Sequence, residues 1–156
     1  MEPSAILQPA VALGLWSGVV MLWLARARLK AAPTTRIPKA EQAHPSGMAY
    51  FPTEARRVAD NYNHLFEQPT LFYAVVLLIA ALGHVDALAV ACAWGFVALR
   101  VVHSLVQATV NIVLLRFGIF MLSWAVLLVL LVREAVACFR KTDTNDLLSS
   151  LEAAQT

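Results

Sequence analysis

The chain has 156 residues, of which 60% are hydrophobic and only 14% charged, with a formal net charge of +2. A water-soluble domain carries roughly a quarter charged residues, so a soluble enzyme, a disordered chain and a nucleic-acid binder are excluded. Cys92 and Cys138 lie far apart, each in an apolar run, and form neither a disulfide framework nor a metal-ligand pair.

A bilayer core about 30 Å thick needs roughly 20 mainly apolar residues per helix. Four segments meet that length: residues 5–25, 54–82, 85–110 and 112–139. Strand-like alternation is absent, and only helices or closed barrels satisfy the backbone in lipid. The expected fold is therefore an all-α integral membrane four-helix bundle, a single domain. The first span carries Glu2 as its only charge before Arg26, unlike the basic start of a secretory leader, and reads as an uncleaved helix.

Basic residues set the orientation. Arg26, Arg28, Lys30, Arg36, Lys39, Arg56 and Arg57 lie between the first two spans, against Glu41 and Glu54. The hairpin Gly83-His84-Val85-Asp86 has neither Lys nor Arg, and Arg140 and Lys141 after the last span are diluted by Asp143, Asp146 and Glu152. The positive-inside bias places the first loop in the cytoplasm and both termini on the far side. The turn between the last two spans is then cytoplasmic too, beside Arg116.

The first loop is broken by Pro33, Pro38, Pro45 and Pro52. Thr53 is suited to cap a helix starting at Glu54. That helix is expected to run unbroken to Leu82, kinked at Pro69, whose ring crowds the carbonyl of Leu65. Residues 141–156 read as a polar tail with a short helix over 147–154.

Two polar stripes cross this apolar chain. Arg56, Asp60, Asn63 and Glu67 are spaced to share one face of the second helix, and Arg100, His103 or Ser104, Gln107 and Asn111 one face of the third. Because the helices run antiparallel, both stripes fall toward the cytoplasmic half, level with Arg26, Arg28 and Arg116. Intramembrane charge is costly and turns toward the bundle or a watery cavity. Two readings follow. Glu67 and Arg100 form a structural ion pair joining the two helices, or the stripes line a pocket for a charged ligand. The surplus of arginine favours an anion, since guanidinium holds carboxylate or phosphate bidentately. His103 reads as a hydrogen-bonding partner, while His44 and His84 fall in loops and His64 near the headgroups. No histidine pair has zinc-site spacing, and no Gly-rich phosphate loop is present.

The run Arg56-Arg57-Val58-Ala59-Asp60-Asn61-Tyr62-Asn63-His64-Leu65-Phe66-Glu67-Gln68-Pro69 resembles the start of the second helix in the MAPEG family, the membrane-associated proteins of eicosanoid and glutathione metabolism. Arg100-Val101-Val102-His103-Ser104, Asn111 and Arg116-Phe117 are similar to the junction of the last two helices in its bacterial members. The resemblance implies a homotrimer in a bacterial inner membrane, with glutathione as co-substrate near the cytoplasmic face. It also implies residue roles. Arg56 or Arg57 would hold a glutathione carboxylate, Asn63 its backbone and Glu67 its ammonium, with Arg100 and His103 beside them; Arg116 would stabilise the thiolate. The activity implied is that of a glutathione transferase or peroxidase-like enzyme acting on a hydrophobic small molecule. The alternatives are a non-catalytic binding or scaffold protein of the same fold and a small proton-coupled transporter. Two features depart from the pattern: Asn63 and Glu67 are four apart rather than three, and the tyrosines of catalytic members near the end of the third helix are absent.

Overall fold

The computed structural model describes the backbone of residues 2–153 and the side chains of residues 2–140. Among the described residues there is no strand, and four stretches are long and apolar enough to cross a membrane. Helix α1 spans Ser4–Ala31, α2 Thr53–His64, α3 Gln68–Leu82, α4 Ala87–Ala108 and α5 Val113–Ala153. Helices α2 and α3 together make the second crossing.

Helix α1 shows why the bundle needs lipid. Ile6, Pro9, Leu13, Ser17, Val20 and Leu24 form its buried stripe, at the three-and-four spacing of one helical face. The opposite face carries Val11, Leu15, Val19 and Leu22, all exposed. A helix apolar all round belongs in a core or a bilayer. It packs on α2, α3 and α4, while α5 packs on α4 and α3. The central seam stacks Phe72 on Phe96, with centroids 4.4 Å apart and planes inclined by 16°.

The second crossing is not one kinked helix, as the sequence suggests, but two helices. Helix α2 ends at His64 and α3 begins at Gln68, with Pro69 in its first turn. Proline lacks an N–H and its ring collides with the carbonyl four residues back; at the first turn of a new helix neither defect costs a bond. The chain therefore restarts the helix here. At the other end, Thr53 is the first helical residue rather than the cap, and its hydroxyl accepts from Arg56 Nη2 at 3.4 Å.

Three connections fix the helix order. The loop after α1 folds as short 3₁₀ turns, Ala32–Thr34, Lys39–Glu41 and Pro45–Tyr50. A Cβ at Gly47 would lie 2.7 Å from the Glu41 carbonyl oxygen, so this close approach requires glycine. Gly83, at φ 73°, closes α3, with His84 N–H donating to Ile79 O and Gly83 N–H to Ala80 O, the paired bonds of a Schellman end. Asp86 then caps α4 by accepting from Ala89 N–H at 2.7 Å. Asn111, at φ 52°, turns the chain from α4 into α5. The backbone after Arg140 continues α5 to Ala153 instead of forming a separate helix; Ala154 lies outside the described residues.

Candidate functional site

The broken turn organises the polar centre. A helix end leaves carbonyls without intrahelical partners, and the His64 carbonyl accepts from Arg100 Nη2 at 2.9 Å. Arg100 Nη1 reaches Gln68 Oε1 at 3.3 Å, and Ser123 Oγ donates to the same oxygen at 3.0 Å. Nearby, Asn61 Nδ2 donates to Ser104 Oγ at 2.6 Å. These bonds join α2, α3, α4 and α5. Arg100 is 0% exposed, a costly position for a cation, and no ion pair among the described residues includes it.

The expected Glu67–Arg100 ion pair is therefore not formed. Glu67 sits in the break, 60% exposed, and its carboxylate meets His64 Nδ1 at 2.6 Å. The four-three-four spacing aligns residues only while the helix is continuous. Ending α2 at His64 turns Glu67 away from the face that carries Arg56, Asp60 and Asn63.

Those three do converge. With Arg57 they line a recess of about 800 Å³, closed by Leu24 and Arg28 of α1, Pro45, Met48 and Ala49 of the first loop, and Asn111. That volume lies in the range of small-molecule sites. Arg57 Nη1 donates to Thr109 O at 2.9 Å, tying α2 to the end of α4. Three guanidinium groups and the Asp60 carboxylate share this recess, so it suits a ligand with more negative than positive charges.

Of the remaining expected site residues, Arg116 and His103 line a second, smaller recess of about 170 Å³ with His64, Val113, Phe117 and Phe120. Asn111 joins the two: it borders the first recess, and its Oδ1 accepts from Arg116 Nη1 at 2.8 Å. Asn63 and His64, adjacent in sequence, border one recess each. Glu67 and Arg100 border neither.

Polar chemistry is also not confined to one end, as the stripes suggested. Toward the far end of the fourth crossing, beside the hairpin that joins α3 to α4, His84 Nδ1 meets Glu134 Oε1 at 2.8 Å and Arg133 makes two bonds to Asp86. The Arg133 hydrogen bonds, with a further one from Ala89 N–H, hold the Asp86 carboxyl below its ordinary range. Arg133 and Glu134, two charges inside an apolar run, were the signal for this cluster. Asn61, Gln68 and Ser123 were missed because each lies one position off the stripes or on a helix with no stripe.

These features define an integral membrane helical bundle with an arginine-rich recess among the ends of its helices. The profile of the MAPEG family matches residues 6–136, and the chain belongs to that family, a group associated with glutathione transfer and eicosanoid metabolism. No curated protein and no solved structure matches the chain.

Proposed function

We propose that the protein is a membrane-bound glutathione transferase that joins the glutathione thiolate to a hydrophobic electrophile arriving from the bilayer. The observation that carries this reading is the larger recess, which Arg28, Arg56 and Arg57 line together with Asp60. Glutathione has two carboxylates and one ammonium, the complementary set. In this reading the arginines hold the carboxylates, Asn63 bonds the peptide backbone, and Asp60 takes the ammonium in place of Glu67. Arg116, linked through Asn111, pairs with the thiolate; a neighbouring cation favours the ionised thiol, which is the nucleophile. Arg100 holds the broken turn from below, and His103 walls the thiol side.

The same reading places the chain as a homotrimer in a bacterial inner membrane, the first loop cytoplasmic and the termini outside. Protein purified in detergent, given glutathione and an activated aryl halide, should form conjugate, and glutathione should raise its melting temperature. No conjugate and no thermal shift would refute the enzyme reading. A thermal shift without conjugate would favour a non-catalytic binding protein, a reading that the withdrawal of Glu67 from the recess supports.

A further inference from the structure

His64 lines the small recess and is paired with Glu67 just outside it, a pair that the proposed transferase reading leaves unused. We propose that His64, held by Glu67, is the general base that removes the proton from the thiol; this rests on the glutathione-transferase reading above. Glu67 stands at the N-cap position of α3, yet its side chain caps no N–H of that helix. It reaches back instead to His64 Nδ1 at 2.6 Å. A carboxylate only accepts, so Nδ1 carries the hydrogen, and in the neutral ring Nε2 is the acceptor nitrogen. An imidazole oriented by a carboxylate on one nitrogen and available on the other is the arrangement that general-base catalysis requires.

In the transferase reading this base stands beside the reacting sulfur. His64 borders the recess that Arg116 enters, and its sequence neighbour Asn63 borders the recess for the rest of the ligand. The charged and titratable groups around it are Glu67 at its ring, Arg100 on its own carbonyl, His103 at 6.3 Å between ring centroids, and Arg116 across the recess. His103 is 3% exposed and its Nδ1 has no hydrogen-bond partner, so it closes the recess from within while His64 remains open to a ligand. Val113, Phe117 and Phe120 give the recess apolar walls for the electrophile.

The step balances without a further reactant. The S–H bond breaks and its proton passes to His64 Nε2. The thiolate pair forms a C–S bond to the aryl carbon as the carbon–halogen bond breaks. Halide departs, and His64 returns its proton to solvent.

The full-length protein in detergent, with glutathione and an activated aryl halide, tests the assignment. His64→Gln should lower kcat/KM near neutral pH about 100-fold, the lower end of the range for a positioned base. It should leave the glutathione Kd, measured by calorimetry, within about threefold. Its rate should recover toward the parent value at alkaline pH, where even a free thiol, with a pKa of about 8.5, ionises without a base. Glu67→Gln, at an exposed position, should show a smaller loss with the same alkaline recovery. A parent protein that conjugates while His64→Gln keeps its neutral-pH kcat/KM would overturn the base and leave the transferase reading intact. A deficit equal at every pH would likewise overturn it, because a purely structural role predicts no recovery. A parent that neither binds nor conjugates glutathione would overturn both.

Discussion

Neighbouring arginines in the larger recess should respond differently to the same substitution. Arg56 is exposed, and its guanidinium donates a long hydrogen bond, 3.4 Å, to the Thr53 hydroxyl one turn away. Arg57 is half-buried and donates to the Thr109 carbonyl at 2.9 Å, across from α2 to the end of α4. A charge-assisted hydrogen bond contributes about 1.5–3 kcal/mol. For Arg56→Ala the exposed setting selects the lower end, so glutathione should bind about tenfold more weakly with the melting temperature of the empty protein unchanged. For Arg57→Ala the exposed Thr109 carbonyl loses its donor, so about 1.5 kcal/mol of stability, the lower end of the range, should go. At roughly 2–4 °C per kcal/mol for a chain of this size, the empty protein should melt several degrees lower. Asp60→Asn should weaken glutathione but leave the affinity for a des-amino analogue unchanged, since the analogue has no ammonium to lose. Calorimetry and thermal unfolding in one detergent provide all three comparisons. Equal glutathione affinity in Arg56→Ala and parent, or a des-amino analogue that weakens as much as glutathione in Asp60→Asn, would refute the charge assignment.

Other consequences follow from the packing and the caps. Phe72→Ala should cost about 3–5 kcal/mol, the usual range for a buried Phe truncated to Ala, because the ring is 0% exposed and stacked on Phe96; thermal unfolding reads it. Gly83→Ala meets no atom within 4 Å but must hold φ 73°, so its cost should be backbone strain alone, about 1–2 kcal/mol. The lowered pKa of Asp86 means that its contribution to stability is fully present above the ordinary value of 3.8 and lost as pH falls through the depressed one. Acid unfolding in that window should therefore be less steep in Asp86→Asn, and an unaltered acid limb would show that the Arg133 contact contributes nothing.

Much of the architecture was legible because bilayer physics leaves few choices. Four apolar runs with helical patterning in a sparsely charged chain define four crossings, and Pro69 marked the position where the second would be disturbed. That Arg56, Arg57 and Asn63 line one recess was legible because they lie within one uninterrupted helix, where spacing translates directly into a face. Glu67 was misplaced for the complementary reason. It is four residues beyond Asn63 in sequence, but the helix stops at His64 and two non-helical positions, Leu65 and Phe66, intervene, so the angular relation is lost. Arg133 and Glu134 escaped notice because their partners, His84 and Asp86, sit in a hairpin some fifty residues earlier.

Composition and periodicity alone determined that this chain lives in a membrane, how many times it crosses and where its cations gather, since these depend on solvation and local helix geometry. Which cation meets which anion was decided only by the tertiary structure. A buried guanidinium such as that of Arg100 settles on whatever acceptor the packing presents. Here that is a carbonyl freed by a broken helix rather than the nearest carboxylate in the pattern.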